Sequence, residues 1–304
     1  MVNLLTLILN EYSDYIDNRL DKELAFFEKE EIIIAKNISE CGKVMEIDFD
    51  LDIKSLKNYN LDDFKIMFFH YISNAFSDII IMDLEEKLVH KTLMNNYYYF
   101  VLGERQRILK HLHSVQENEE FKYGEGVTYR ISRKAKILQH IIDYLQDNET
   151  INLEGFVRFR LKNYTQELEE HIDKAVEDFL MEKEYNEFIR LLRYFVDIQE
   201  AKIDIVNVLM GDNGKYHLYD KMNSLINNDY LEDIAMEMAD KDISYDDLLI
   251  SSLITLAPKQ IIIHYEGKLK SKEILQTIKS VFSERLVFCK GCNLCMPVQS
   301  VKQE

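Results

Sequence analysis

The chain has only 2 prolines and 9 glycines among 304 residues, which leaves little material for flexible linkers and predicts tightly connected elements. It lacks any excess of positive charge. At a net charge of -17 its averaged field repels nucleic acid and anionic lipid headgroups, so only a local basic patch could bind either. It also lacks a long uninterrupted apolar run. The most apolar long segment, residues 64–82, contains Lys65, His70, Asn74 and Asp78, and a bilayer centre would penalise each charged group by about 2.5–3.5 kcal/mol. No membrane span is expected. The N-terminal apolar run has no basic region before it and no small-residue cleavage site after it, which excludes the pattern of a signal peptide. Cysteines are few and clustered: three of the 4 lie within seven residues, unlike the dispersed framework of a secreted disulfide scaffold. A reducing cytoplasm fits that usage. No phosphate loop, nucleophile elbow or HExxH helix occurs, and Gly124 with Gly126 makes only an isolated GEG.

With 47% hydrophobic residues the chain is globular and long enough for at least one well-buried core. Residues 3–9 read as a strand, followed by a helix over 11–29 and a β-branched strand over 31–37. Residues 43–51 alternate Val44, Glu46, Asp48 and Asp50 against Met45, Ile47, Phe49 and Leu51, the period of a half-buried strand. Glu40-Cys41-Gly42 supplies the turn between them. Helical periodicity returns over 61–102, with Tyr97 to Phe100 as an aromatic run whose neighbouring side chains point different ways on a helix and are assigned to packing rather than base stacking. Helical material continues over 104–113. Polar residues and glycine over 114–129 predict a loop or irregular hairpin.

A helix over 133–145 precedes the longest helical stretch, residues 152–200. Asn152 is its predicted N-cap, and Glu154 opposes the positive end of the dipole. Leu161, Tyr164, Leu168, Ile172, Ala175 and Phe179 line one face at steps of three and four. The pattern then jumps to Tyr185, Phe188, Leu192 and Phe195, a phase slip that predicts a kink or a new helix near Glu184. Residues 203–210 and 215–219 flank Gly211-Asp212-Asn213-Gly214, the strongest hairpin signal in the chain. A helix over 225–256, a strand over 260–265, a helix over 272–283 and a strand over 286–288 complete the reading. The predicted class is α+β and helix-dominated. It comprises a small N-terminal β/α region (1–113), a helical middle (114–200) and a C-terminal sheet with covering helices and a cysteine tail (201–304).

The cysteine tail, Cys289, Cys292 and Cys295, is a C-x2-C-x2-C run with a glycine that lets the backbone fold its sulfurs inward. Three thiolates at this spacing can share one metal, and their softness suits zinc or an iron-sulfur cluster and disfavours magnesium or calcium. Met296 stands before Pro297 where the ferredoxin run has its fourth cysteine, which weakens the iron-sulfur reading. A closed zinc site needs a fourth ligand. If the strands over 260–265 and 286–288 are parallel neighbours joined by a helical crossover, their carboxyl ends share an edge and His264 approaches Cys289. Cys41 is the other candidate. The plainer reading is three reduced thiols or a redox-labile tail.

A second constellation is basic. Arg158 and Lys162, four apart, and Arg190 and Arg193, three apart, each share a helical face, with Arg160 close by, so an anion-binding surface is conceivable. Ordinary intrahelical pairs, Arg190 with Glu187 and Arg193 with Asp197, account for the second group, and the structural role is the favoured reading.

The stretch FVRFRLKNYTQELEEHIDKAVEDFLMEKEYNEFIRLLRYFVDIQE, the following IDIVNVLM and the ending APKQIIIHY with LVFCKGCNLC together resemble the YtxC-like sporulation protein family of endospore-forming Firmicutes. The resemblance implies a cytoplasmic protein of spore-forming bacteria and carries no catalytic residues with it. The leading expectation is a non-enzymatic protein that acts through contacts with another protein, its C-terminal region pinned by zinc. Two alternatives come from other classes: a metal-dependent enzyme or redox protein centred on the cysteines, and nucleic-acid binding through the basic helix faces.

Overall fold

The computed structural model describes residues 1–57, 59–122, 129–210, 216–226, 245–264, 272–292 and 294, with backbone alone for 117–122, 129–130, 210 and 272. The chain divides into two compact units, Met1–Leu180 and Met181–Glu304. The class is α+β and helix-dominated, with one small mixed sheet in each unit.

In the first unit β1 (Val2–Leu9) is followed by α1 (Asp14–Lys29), β2 (Ile34–Cys41) and β3 (Val44–Leu51), the expected strand, helix, strand, strand order. The sheet order is β2-β3-β1-β4, with β4 (Thr150–Asn152) parallel to β1 and the other pairs antiparallel. A register shift between Asn3 and Leu5 lets both Leu4 and Leu5 enter the core, after which Leu7 and Leu9 resume alternation. β2 lies later than the sequence predicts. Glu31 adopts a positive φ of 59° and the chain leaves α1 through residues 30–33, so pairing begins only at Ile34 with Leu51. The hairpin closes on Cys41 opposite Val44, with Gly42 at a φ of 70°, a conformation that glycine adopts without a Cβ penalty.

Against this sheet pack α1, α2 (Leu61–Ile79) and α5 (Tyr129–Leu145), contributing Ile16, Phe27, Phe68, Phe76 and Ile141 to one core. α2 runs into α3 (Glu85–Asn96) through a π-helical turn at Ile80–Leu84. α4 (Leu102–Lys122) extends well into the stretch expected to be a loop. Ser114 is exposed there, Val115 is buried and Gln116 donates to Glu85. Residues 123–128 of the expected loop lie outside the described residues. The aromatic run is a turn between α3 and α4 rather than helix: Phe100 is buried against Phe179, and Tyr98 and Tyr99 are exposed.

Asn152 caps α6 (Leu153–Arg160), its Oδ1 accepting from the Gly155 amide at 2.6 Å. The long helical stretch breaks at Leu161, not near Glu184, and α7 (Lys162–Ile198) is one uninterrupted helix. The phase slip in its sequence marks a change of buried face. Leu168, Ile172, Ala175 and Phe179 join a core of the first unit, whereas Ile189 and Val196 join the core of the second. Phe188 and Phe195, expected to be buried, are exposed.

In the second unit β5 (Ile205–Met210) pairs antiparallel with β6 (Tyr216–Tyr219) and parallel with β7 (Gln260–Ile263), which pairs parallel with β8 (Leu286–Phe288). The order is β6-β5-β7-β8. The four-residue hairpin turn at 211–214 and Lys215 lie outside the described residues, as do residues 227–244 of the expected helix and Tyr265. The described part of that helix is α8 (Tyr245–Leu256), while Leu225 bridges to Tyr219 and is not helical. α9 (Lys272–Phe282) carries the chain from β7 to β8 and buries Ile274, Ile278 and Val281. Among the described residues no helix is long and apolar enough to cross a membrane.

Candidate metal centre

The parallel pairing of β7 with β8 sets Ile263 opposite Phe288, so the next residue of each strand, His264 and Cys289, emerges at the same carboxyl edge. The ladder continues one step beyond the strands: the Cys289 amide donates to the Ile263 carbonyl at 2.9 Å and the His264 amide to Val208 at 3.0 Å. The apolar β-branched run Ile261-Ile262-Ile263 makes this a central strand, and the edge it ends on is fixed by the pairing. Gly291, at a φ of 127°, then turns the chain back, and its amide points to Cys289 Sγ at 3.4 Å.

The result is a group of three ligand atoms, from His264, Cys289 and Cys292, all within 4.8 Å of one another. Cys292 Sγ lies 3.4 Å from His264 Nδ1. A tetrahedral zinc with bonds of about 2.3 Å to sulfur and about 2.0 Å to nitrogen sets those two atoms roughly 3.5 Å apart. The other ring nitrogen is accounted for as well. His264 is 3% exposed, and its Nε2 lies 3.1 Å from Oδ1 of buried Asn207. Asn207 is oriented in turn by its own Nδ2, which donates to the Asp220 carbonyl at 3.0 Å. An oxygen that can only accept places the proton on Nε2, which leaves the Nδ1 lone pair directed at Cys292. Burial also holds the imidazole pKa below its usual value, favouring the neutral ring that a metal requires. Metal-ligating histidines are held in this way, with the distal N–H given to a fixed acceptor.

Cys295 lies outside the described residues. Cys41 is exposed at the end of β2, in the first unit, and is not among the three gathered residues. Asn207 was not singled out by sequence. Its signal was a lone amide inside the apolar strand IVNVLM.

The basic residues fall out differently. Arg158 and Arg160 end α6 while Lys162 begins α7, so the break at Leu161 removes the shared helical face expected of Arg158 and Lys162. Arg158 stacks on Phe159 with 5.3 Å to the ring centroid, and Arg160 on Tyr144 with 5.7 Å. Arg158 also lines a cleft of about 840 Å³ with Lys87 and Lys91, but Glu11, Glu154 and Glu169 share its walls and offset the charge. On α7, Arg193 approaches Asp197 at 3.9 Å, the intrahelical pair expected, and Asp197 also meets Arg285 at 3.5 Å. Arg190 is exposed on the same helix.

Sequence pattern also gave no notice of a buried ionic network in the first unit. Glu85, the first residue after the π-helical turn, accepts from Arg133 and from the Tyr164 hydroxyl on one oxygen, and from Gln116 at 3.0 Å on the other. The Arg133 guanidinium lies 4.9 Å from the Tyr164 ring centroid. Burial and the neighbouring carboxylate push the Tyr164 hydroxyl pKa up, so it stays protonated and donates.

These features define a helix-dominated α+β protein whose C-terminal sheet presents a His-Cys-Cys group at its carboxyl edge. The chain belongs to the YtxC-like family, which matches residues 70–287. The matched segment includes His264 and ends two residues before Cys289. It is also similar to a protein of Bacillus subtilis (strain 168) named "Uncharacterized protein YtxC", at 24% identity over 206 residues, covering 66% of this chain and 70% of that protein. No solved structure matches the chain.

Proposed function

We propose that this is a non-enzymatic, sporulation-associated interaction protein whose C-terminal unit binds one structural zinc ion. The observation that supports the zinc is the convergence of His264, Cys289 and Cys292 with the proton-bearing nitrogen of His264 turned away towards Asn207. Cys295, three residues after Cys292 in the same run, completes a Cys3His set. Four protein ligands close the coordination sphere and leave no position for substrate, so the site's work is to hold the C-terminal tail against the sheet. The sporulation context comes from the resemblance in the sequence. Action through protein contacts agrees with the exposed Tyr98, Tyr99, Val101 and Leu102 at the turn between α3 and α4.

Elemental analysis of the full chain purified without oxygen tests the metal, with Cys292→Ser alongside. About one zinc per chain, lost in the variant together with thermal stability, is the expected result. Iron with visible absorbance, or metal-free protein whose stability equals that of the variant, refutes it. A deletion strain that sporulates at the normal frequency refutes the cellular role.

A further inference from the structure

The second half of α7 is apolar on two faces. Ile189, Val196 and half-buried Leu192 face the core of the second unit. On the outside, Phe188, Leu191, Phe195 and Ile198 are 55%, 54%, 50% and 59% exposed. A helix that buries one face in its own domain normally carries charged residues on the rest, and one that is apolar nearly all round is normally enclosed. Here Glu182, Lys183, Glu187, Arg190, Arg193 and Asp197 keep to the remaining arc, and the outer stripe recurs at steps of three, four and three. That is the a/d spacing of a helix that packs along a second helix.

We propose that this stripe is a homodimer interface, in which α7 packs antiparallel against α7 of a second copy of the chain. A two-fold axis midway between Leu191 and Phe195 sets Leu191 of one copy against Phe195 of the other, and Phe188 against Ile198. All four layers of the seam are then apolar, and the surface is its own complement, as a two-fold contact requires. Parallel pairing would set Glu184, which stands at a d position of the same seam, against its own copy. Five side chains, the four named with Tyr194, are each half exposed or more. Each would hide on the order of 100 Å², so a dimer buries roughly 1,000 Å² in total, the least that a specific interface is expected to bury. The helix is already folded within the protein, so association does not bear the cost of helix nucleation. This inference goes beyond the zinc reading and does not depend on it.

Sedimentation velocity of the full chain between 1 and 100 µM, for the native protein and for Leu191→Glu and Phe195→Glu, decides the matter. The native chain is expected to sediment at twice its 36.1 kDa mass at the upper concentrations. Both variants are expected to be monomers, dissociating at least 100-fold more readily, with unchanged circular dichroism and zinc content. A photo-crosslinking residue at position 198 should label residues 184–191 of the second copy. A native chain that stays monomeric at 100 µM overturns the proposal. So does a dimer indifferent to both substitutions, which places the interface elsewhere. Variants that unfold as monomers overturn it too, because the stripe is then covered by the chain's own residues. Cross-linking of position 198 to residues 195–202 of the second copy overturns the antiparallel arrangement.

Discussion

Cys292 Sγ lies 3.4 Å from His264 Nδ1 although 27 residues separate the two in sequence. The approach follows from strand pairing alone. β7 and β8 run parallel and in register, so whatever follows Ile263 must meet whatever follows Phe288. The glycine before Cys292 then folds the chain back over that edge.

The first prediction concerns Asn207, which touches no metal. Its amide fixes the His264 ring and keeps the proton on Nε2. Asn207→Leu preserves the volume and removes the acceptor, and partners of this kind are worth about 10–100-fold in metal affinity. Competition against a chromophoric chelator is expected to show that loss for zinc. Asn207→Asp, which keeps an acceptor, should retain most of the affinity. Equal affinities in all three proteins would show that the ring needs no orienting partner.

Gly291 gives a second, independent lever. At a φ of 127° it occupies backbone space that L-residues rarely enter, yet a Cβ there would meet nothing within 4 Å. Gly291→Ala therefore imposes backbone strain without a clash, on the order of 1–3 kcal/mol. The expected readout is zinc binding weakened by about tenfold or more, with the melting temperature of zinc-stripped protein little changed. If the stripped protein also loses stability, the strain belongs to the fold rather than to the site.

Some of this was legible in the sequence, and the reasons differ between parts. The β3 alternation and the Asn152 cap depend on neighbours a few residues away, and the structure reproduces both. The convergence of His264 with the cysteines was also within reach, because a strand-helix-strand unit constrains which ends meet. Local pattern failed where burial is decided by distant partners. The slip after Phe179 reads as a kink because a single helix is assumed to keep one buried face, yet α7 is assigned as one helix whose buried face changes. Residues 114–122 look like loop because their sequence is mostly polar, and Glu85, which Gln116 meets, is 31 residues away. The Leu161 break divides the two residues whose spacing suggested an anion site.

A third prediction turns on pH. Burial tends to raise the Asp78 carboxyl, but hydrogen bonds from Lys134 and Arg19 outweigh it and hold the group below its ordinary value of 3.8. A carboxyl depressed in the folded state contributes stability that is complete above its unfolded value and is lost as pH falls through the folded one. Asp78→Asn is expected to lower stability by about 1–2 kcal/mol at pH 6, somewhat under the usual worth of hydrogen bonds to a charged group because Asp78 is partly exposed. The gap between variant and native chain in urea unfolding should narrow as pH is lowered from 4 to 2. A gap constant across that range would mean that the charge of Asp78 contributes nothing.

The buried pair Glu85 and Arg133 yields the sharpest stability test, because single and double substitutions diverge. Arg133→Met leaves the Glu85 carboxylate enclosed with the Tyr164 hydroxyl and Gln116 as its donors among the described residues, a state that costs about 3–5 kcal/mol. Glu85→Leu removes the carboxylate to which Arg133, the Tyr164 hydroxyl and Gln116 all donate. The double variant Glu85→Leu with Arg133→Met removes both charges, and its cost is expected to fall well below the sum of the single ones, since much of each single cost is the desolvated partner left behind. Urea midpoints for the four proteins supply the cycle. Additive costs would mean that the two side chains act separately and that the ion pair does not fix how α5 and α7 meet the turn before α3. Strong coupling would mean that the π-helical turn at Ile80–Leu84 has a structural purpose, because it is the element that delivers Glu85 to its partners.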